Sequence, residues 1–215
     1  MPPPVGQAMV SGTDFGDNHT VFEPGWPLER GGLYLPPGEI HTSRVDLEQI
    51  TAEMLDVMAG FPWWWAEARY DSSFAQSNRT FAAIARRKLG QTNTIRRTGG
   101  PNTVPVHFNK TKDLAIRYVR LLLNRTLAHL EEGADGTRVL AISPANTLLL
   151  DQMRGYIEDD FGKPQKGDDD AVDALLSMAG PLARKHRATL DKATAEAKRR
   201  DARAARKRVH PKQAA

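Results

Sequence analysis

The chain of 215 residues contains no cysteine, which excludes disulfides, thiolate metal sites and thiol catalysis. Its hydrophobic share of 40% and charged share of 26% are those of a soluble globular protein, and no apolar run approaches the roughly 20 residues of a membrane span. The net charge of +4 is divided unevenly, because twelve basic and three acidic residues follow position 183, whereas eighteen basic and twenty-three acidic residues precede position 184. A mildly acidic body therefore carries a strongly basic tail.

This division predicts three regions: a flexible Pro-rich lead over 1–7, one folded domain over 8–182 and a basic tail over 183–215. The lead has neither the basic nor the apolar segment of an export signal, so we expect an intracellular protein that is not secreted. The tail is rich in alanine and has almost no large apolar residue beyond Leu190. Since it cannot bury a face, it is either a solvated helix or disordered, and it serves either solubility or contact with a polyanion.

The first predicted elements form an antiparallel meander. Residues 8–16 have the pattern of a short strand that ends in a glycine-punctuated turn, and Asp14 lies where the strand gives way to the turn. Residues 19–23 and 32–35 predict the next two strands, and the Pro/Gly-rich segment 24–31 is predicted to connect them.

A further strand is predicted over 61–73, where it runs into a polar turn. Asp71 lies at or just beyond the carboxyl end of this strand, which is where open α/β sheets place ligands. Glu67 lies within the strand and is the reserve candidate for the same role. We expect it to be half-exposed or paired with Arg69.

The remaining pattern alternates amphipathic helices with short apolar strands. The predicted helices are 46–58 (which Thr42 or Ser43 can cap), 78–89, 112–132 and 146–158; the predicted strands are 94–97 and 139–142, with a loop over 99–102. Basic residues on the 112–132 helix most often form a solvated face.

An acidic segment opens the last predicted helix of the body. Asp168, Asp169 and Asp170 precede a helical apolar pattern, and carboxylates at such a position can cap the first turn. Asp173 shares a face of the helix with Asp169 and with Asp170, and it lies beside the apolar stripe, at the edge of the core. A carboxylate there needs a cation or a strong donor, so the segment is either an over-capped helix start or part of a metal site.

Three widely separated acids are thus predicted at or near one end of the sheet: Asp14, Asp71 and Asp173. Mg²⁺ takes oxygen ligands and keeps several waters, so a few carboxylates suffice without His or Cys. Two such ions about 3.5–4 Å apart support phosphodiester hydrolysis. The six histidines are scattered without metal-ligand spacing.

The order and local sequences resemble the C-terminal nuclease domain of tailed-bacteriophage terminase large subunits, an RNase H-like family. Residues 11–16 (Ser-Gly-Thr-Asp-Phe-Gly) resemble the opening strand with its first metal-binding Asp, and residues 70–73 (Tyr-Asp-Ser-Ser) resemble the second-acid motif. Residues 167–175 resemble the closing acidic helix, and Lys112 at the start of a long helix fits the same arrangement. The resemblance covers residues 8–182.

The resemblance implies an α/β fold of the RNase H-like type, in which three antiparallel strands and then parallel strands form a mixed sheet flanked by helices, with the basic tail appended. It implies an endonuclease that uses Mg²⁺ or Mn²⁺, with two ions, to cut concatemeric viral DNA during genome packaging in the host cytoplasm. Asp14, Asp71 and Asp173 would be catalytic and would hold the metal, with Asp170 or Asp169 assisting. The predicted DNA-binding residues are Lys110 and Lys112 in the body and, from the basic charge of the tail rather than from the resemblance, Lys198, Arg199, Arg200, Arg206, Lys207 and Arg208.

The implied partners are double-stranded DNA, a separate terminase ATPase subunit, the small terminase subunit and the portal, and no membrane. Two features depart from the family pattern. The position of Asp170 is often His in the family, and the sequence has no Gly-x-x-x-x-Gly-Lys-Ser/Thr phosphate loop, so we expect no nucleotide site. The ATPase half would then belong to another chain or to another part of a longer gene.

Two alternatives remain open at this point. The chain is another RNase H-like nuclease, such as a junction resolvase or a transposase core, or it is a non-catalytic subunit that docks on DNA or on a packaging ATPase. Metal binding with cleavage would favour the nucleases. DNA binding that is unaffected by a chelator and occurs without cleavage would favour the docking subunit.

Overall fold

A computed structural model describes residues 8–15, 19–28, 32–43, 46–61, 64–71, 80, 83–84, 87, 102–106, 108–123, 140–156 and 169–209. The strands in this part of the chain are β1 (Ala8–Phe15), β2 (His19–Pro27), β3 (Leu33–Leu35), β4 (Ile40–Ser43), β5 (Trp64–Asp71), β6 (Asn102–Val106) and β7 (Leu140–Ile142). The helices are α1 (Leu47–Ala59), α2 (Phe108–Leu123), α3 (Thr147–Gly155), α4 (Asp170–Lys185) and α5 (Arg187–Val209).

The seven strands form one mixed sheet in the order β6-β5-β1-β2-β3-β7, and β4 also pairs with β2. The first three strands are antiparallel, as the sequence predicts, because β2 pairs antiparallel with both β1 and β3. The pairs β1–β5, β5–β6 and β3–β7 are parallel. The predicted mixed α/β sheet is therefore confirmed.

Helices cover both faces of the sheet, and strand alternation decides which residues face which helices. Val10 and Val21 belong to the larger core cluster, together with apolar residues of α2, α3 and α4. Met9 and Phe22, their chain neighbours, belong to the second cluster with the apolar face of α1. The sheet is thus buried between α1 on one side and α2, α3 and α4 on the other.

Helix α4 lies very close to the sheet because two strand positions lack side chains. A Cβ on Gly12 of β1 would lie 1.9 Å from the backbone oxygen of Ala174, and a Cβ on Gly25 of β2 would lie 2.1 Å from Sδ of Met178. The residues of α4 from Ala174 to Leu182 are almost all buried, as its apolar pattern predicts. These contacts fix both the height and the direction of α4 above β1 and β2.

The structure corrects the predicted connection over 24–31. Strand β2 continues through Pro24 and Gly25, which pair with Ser11 and Val10 of β1, and it ends at Pro27. Local Pro and Gly content favours a turn, but pairing with β1 and the close approach of α4 at Gly25 favour an extended chain.

A strand that the sequence analysis missed is β4, which includes the predicted helix caps Thr42 and Ser43. Both residues pair with β2 instead, and the cap of α1 is Asp46, whose carboxylate accepts a hydrogen bond from the backbone N–H of Glu48 (3.2 Å). The residues of α1 otherwise match the predicted helix within one position at each end.

Strand β6 was also missed, because Asn102 was assigned to a loop and Pro105 interrupts the strand pattern. β6 is an edge strand in the described sheet, where a residue without a backbone N–H is tolerated.

Helix α2 begins at Phe108, before the predicted start at Lys112. The predicted strand 94–97 lies outside the described residues, as does most of the predicted helix 78–89, of which residues 80, 83, 84 and 87 are helical.

The basic tail contains a helix. α5 extends over 23 residues and follows α4 after a one-residue break at His186. His186 stacks on Tyr118 of α2 with ring centroids 6.0 Å apart, and Leu190 is buried. Among the described helices, none combines the length and apolar character that crossing a membrane requires.

Candidate active site

Asp14 and Asp71 lie next to each other in the backbone register, at the carboxyl ends of two adjacent parallel strands. Thr13 of β1 pairs with Tyr70 of β5, and Asp14 and Asp71 are the next residues on their strands. Asp14 is half-buried, and the side chain of Asp71 is outside the described part of the structure. Their neighbours Phe15 and Tyr70 pack edge to face at 6.5 Å on the α1 side of the sheet, which holds the two strand ends together.

Helix α4 carries Asp173 toward the same end of the sheet. Ala174 lies above Gly12, whereas Met178, one turn further along α4, lies at Gly25, which pairs with Val10. α4 therefore runs from the carboxyl end of β1 toward its amino end. Asp173 precedes the contact at Gly12, so the start of the helix points toward Asp14.

Asp173 is paired with Lys112 from helix α2. The Lys112 ammonium lies 2.7 Å from Oδ1 and 2.8 Å from Oδ2 of the Asp173 carboxylate. The side chains of Lys112 and Asp173 are 26% and 17% exposed, so the pair is shielded from solvent but not sealed. The expected location of Asp173 at the edge of the core is confirmed, and the cation that it requires comes from the protein.

Capping of α4 differs from the prediction. Asp169 is the residue before the helix, but its side chain makes no capping hydrogen bond. The first turn is instead satisfied by Gln152 of α3, whose Oε1 accepts a hydrogen bond from the backbone N–H of Ala171 at 2.7 Å. Helix capping thus does not account for the carboxylate of Asp169, and Gln152 of α3 holds the first turn of α4; Asp168 lies outside the described residues.

Tyr156, at the end of α3, is a residue near the site that sequence reasoning missed. Burial raises the pKa of its hydroxyl, and the nearby carboxylates of Asp173 and Asp169 raise this pKa further. Its hydroxyl is buried without a hydrogen-bond partner among the described atoms. A lone Tyr after a helix carries no spacing signal, so only the packing of α3 against α4 reveals its place beside the acids.

Glu67 pairs with Arg69, which confirms that part of the sequence analysis. Nη2 and Nε of Arg69 lie 2.8 and 2.9 Å from Oε2 of Glu67. Arg69 also donates from Nη1 to the backbone oxygen of Met178 (2.6 Å), so it anchors α4 to β5. Glu67 stands opposite Val10 in the register, four positions before Asp71, and is therefore distant from the strand end that carries Asp14.

A second, unpredicted acidic group lies on β2. Glu23 pairs with Gly12 and is fully buried, and Asn146 donates a hydrogen bond to its Oε2 at 3.1 Å. Burial raises the pKa of Glu23 to about 10, with a further contribution from the Glu39 carboxylate. Glu39 in turn accepts the backbone N–H groups of the first turn of α3, so a neutral Glu23 helps to seat this helix on the sheet.

The residues at the strand ends fit a divalent metal ion in their chemistry. Carboxylate oxygens are the ligands that Mg²⁺ and Mn²⁺ prefer, and the ammonium of Lys112 shows that a cation is accommodated at Asp173. Within the described side chains, which do not include that of Asp71, no group of three or more His, Asp or Glu is close enough to hold a metal. The three-carboxylate site therefore stays a prediction that depends on Asp71.

The predicted DNA-binding residues fall into two places. Lys112 is in the ion pair with Asp173, and Lys110 belongs to the first turn of α2. The tail residues lie on α5, where the side chains of Lys198, Arg199 and Arg200 are exposed. Arg206, Lys207 and Arg208 are in the last turns of α5, and their side chains, like that of Lys110, are outside the described part.

No protein-family model matches the sequence, and no curated protein matches it. Among solved structures, the P22 large terminase nuclease domain matches with a TM-score of 0.57 and 14% identity, over 86% of this chain and 85% of that chain. The large terminase (g2p) nuclease domain of bacteriophage SPP1, solved with bound Mn, matches with a TM-score of 0.48 and 16% identity, over 80% and 85% of the two chains. A yeast mitochondrial Holliday junction resolvase matches with a TM-score of 0.42 and 13% identity, over 88% of each chain.

The mixed sheet flanked by helices thus defines an RNase H-like fold. More particularly, it is the fold of the P22 large terminase nuclease domain, as the resemblance of the sequence implied.

Proposed function

We propose that this chain is a DNA endonuclease that depends on Mg²⁺ or Mn²⁺ and cuts concatemeric viral DNA during genome packaging. The observation that carries the proposal is the placement of three acids, two by the register of adjacent strands and one by the direction of a helix. Asp14 and Asp71 follow the last residues paired between two adjacent parallel strands, and α4 crosses β1 with its first turn, which includes Asp173, toward the same end. The fold shared with the P22 large terminase nuclease domain supports the same conclusion.

Each acid has a distinct role in the proposed site. Asp14 and Asp71 would bind metal from the rigid strand ends, and Asp173 would bind it from the helix above, with Asp170 or Asp169 assisting from the first turn. When bound, two divalent ions would activate water and stabilise the leaving oxygen of the phosphodiester. The nucleophile in this proposal is water.

Lys112 has a role of its own. Its ammonium offsets the charge of the Asp173 carboxylate and orients it in the metal-free protein, because it lies 2.7–2.8 Å from both carboxylate oxygens. In a complex with DNA, the same ammonium would contact a phosphate oxygen near the cut, since Lys is a point charge suited to that contact.

The proposed setting is the host cytoplasm, with double-stranded DNA as the substrate. The translocating ATPase would be a separate terminase subunit or another part of a longer chain, because this sequence has no phosphate-binding loop. The small terminase subunit and the portal would complete the packaging machinery.

Supercoiled plasmid incubated with the full chain tests the proposal. We expect nicked and linear DNA with Mn²⁺ or Mg²⁺ and intact DNA with EDTA. Asp173→Asn, purified in the same way, is the matched control for contaminating nucleases and should be inactive. Plasmid that is bound but left intact under every metal condition would contradict the proposal and favour a non-catalytic docking subunit.

A further inference from the structure

We propose that helix α5 is a one-sided arm that binds the phosphates of double-stranded DNA. Its basic stripe consists of five residues within nine positions: Arg199, Arg200, Arg203, Arg206 and Lys207. The proposal rests on the proposed function for its substrate and adds the element that would hold this substrate against an acidic body.

One face of α5 packs against the body. Leu190 is 2% exposed, and Arg117 of α2 donates a hydrogen bond to the hydroxyl of Thr194 at 2.9 Å. Arg117 also pairs with Asp191 at 3.4 Å. The direction midway between Leu190 and Thr194, viewed down the helix axis, therefore marks the body-facing side of the helix.

The basic stripe lies on the opposite side. At 3.6 residues per turn, its five positions fall within about 120° of arc, and their centre is about 160° from the body-facing side. Arg199, Arg200 and Arg203 are exposed, as this placement requires. The three described side chains of the stripe are therefore presented away from the body, and the helical positions of the other two continue the same face.

The dimensions suit a DNA groove. The eight steps from Arg199 to Lys207 span about 12 Å at a rise of 1.5 Å per residue. The major groove is about 12 Å wide and admits an α-helix, and duplex DNA carries one charge per 1.7 Å or so of its axis. A stripe of this length can thus span the groove, with cations near the phosphates of its two edges.

The composition of the helix favours DNA over an acidic protein. Four of the five stripe residues are arginine, whose planar guanidinium matches phosphate geometry. The residues between them are mainly alanine, and the stretch from Arg199 to Arg208 has no large apolar side chain that could serve as the buried anchor of a protein interface. Small side chains also let a helix approach closely.

Electrostatics explains why an arm is needed. Residues 1–183 carry eighteen basic and twenty-three acidic residues, a net charge of −5, and the proposed site itself is built from carboxylates. Such a surface repels phosphates until metal is bound, so separate cations must supply the affinity. On α5, Glu196 lies on the same face as the basic stripe, three residues before Arg199, so the stripe begins after it.

Two double variants with the same loss of charge test the arrangement: Arg199→Gln with Arg203→Gln in the stripe, and Lys198→Gln with Arg208→Gln outside it. The proposed stripe thus excludes two of the residues predicted to bind DNA from the charge of the tail, Lys198 and Arg208. The positions of the second pair lie about 140° from the centre of the stripe on either side. Binding of the full chain to a short DNA duplex is measured by fluorescence anisotropy over a salt series, in EDTA, so that the result does not depend on catalysis. Circular dichroism confirms that helicity is retained, since Gln and Arg have similar helix propensities.

We expect the stripe variant to lower the log–log salt slope by about 1.8, at roughly 0.9 per lost contact, and to weaken binding at 0.15 M salt by about tenfold or more. The loss should be equal for two unrelated duplex sequences, because phosphate contacts carry no base information. The control pair should change the slope by less than half as much, and Glu196→Gln should tighten binding. Equal losses in the two double variants, or an unchanged slope in the stripe variant, would overturn the proposal even if plasmid cleavage were confirmed.

Discussion

Lys112 and Asp173 form an ion pair between α2 and α4, with the ammonium 2.7–2.8 Å from both carboxylate oxygens. The pair lies where the start of α4 points toward the end of β1, which is the proposed location of the metal site. A cation of the protein therefore satisfies the acid in the absence of a metal ion. Lys112 and a bound metal ion would have overlapping electrostatic roles at Asp173.

Lys112→Gln should lower the free energy of unfolding of the metal-free protein by about 2 kcal/mol, between the values typical of exposed and buried pairs. The reason is that Asp173, which is only 17% exposed, loses its counterion. Added Mn²⁺ should recover most of the loss, because a ligand that binds only the folded state stabilises it. Chemical denaturation with and without Mn²⁺ measures both effects.

Arg117→Gln is the matched control for this experiment. It also removes a cation from α2, but its partner Asp191 is 57% exposed, so we expect a loss of less than about 0.5 kcal/mol and no rescue by Mn²⁺. Similar losses in the two variants, or no metal rescue of Lys112→Gln, would show that Lys112 is not the counterion of the proposed site.

Gly12→Ala should destabilise the protein by about 3 kcal/mol, at the upper end of overpacking costs. The new Cβ would lie 1.9 Å from the backbone oxygen of Ala174, so α4 must move away from β1 and take Asp173 with it. Gly155→Ala is the control, because a Cβ there meets nothing within 4 Å, and its effect should stay within about 0.5 kcal/mol. A thermal melt that is unchanged in Gly12→Ala would show that α4 does not lie as close to β1 as described.

Glu23 should make stability fall as the pH rises. The folded protein holds a proton on Glu23 up to a pKa of about 10, whereas the group has an ordinary value of 4.5 in the unfolded chain. Folding therefore takes up a proton between these values, so the stabilisation is complete below pH 4.5 and is lost as the pH rises toward 10.

Thermal melts of the wild type and Glu23→Gln between pH 6 and pH 9.5 measure this dependence. Glutamine keeps an acceptor for Asn146 but cannot ionise, so the difference in melting temperature between the two proteins should shift in favour of the variant as the pH rises. A difference that does not change with pH would mean that Glu23 is not protonated in the folded protein.

Sequence patterns predicted the parts of the fold that depend on local chemistry. The placement of Asp14 and Asp71 at strand ends followed from turn residues, and the buried face of α4 followed from its apolar spacing. The expected pairing of Glu67 with Arg69 joins positions two apart in one strand, which share a face. In each case the residues that decide the structure are neighbours in the chain.

The missed features depend on contacts between distant parts of the chain. Strand β2 continues through Pro24 and Gly25 because β1 and α4 lie beside it, and β6 accepts Pro105 because it is at an edge. The pairing of Lys112 with Asp173 joins residues 61 positions apart, and Asn146 reaches Glu23 across 123 positions. No local pattern encodes these separations.

Plasmid cleavage in Mn²⁺ by Asp14→Asn, Asp71→Asn and Asp173→Asn, with Glu67→Gln as the control, tests the central claim most directly. Each variant removes one carboxylate with little change in shape, and Glu67 is on the same strand as Asp71 but away from its end. We predict that each of the three Asp variants loses at least about a hundredfold in rate, a loss of 2.7 kcal/mol or so in transition-state stabilisation, and that Glu67→Gln keeps nearly full activity. Full activity in any one of the three Asp variants, or an inactive Glu67→Gln beside an active Asp71→Asn, would contradict the proposed site.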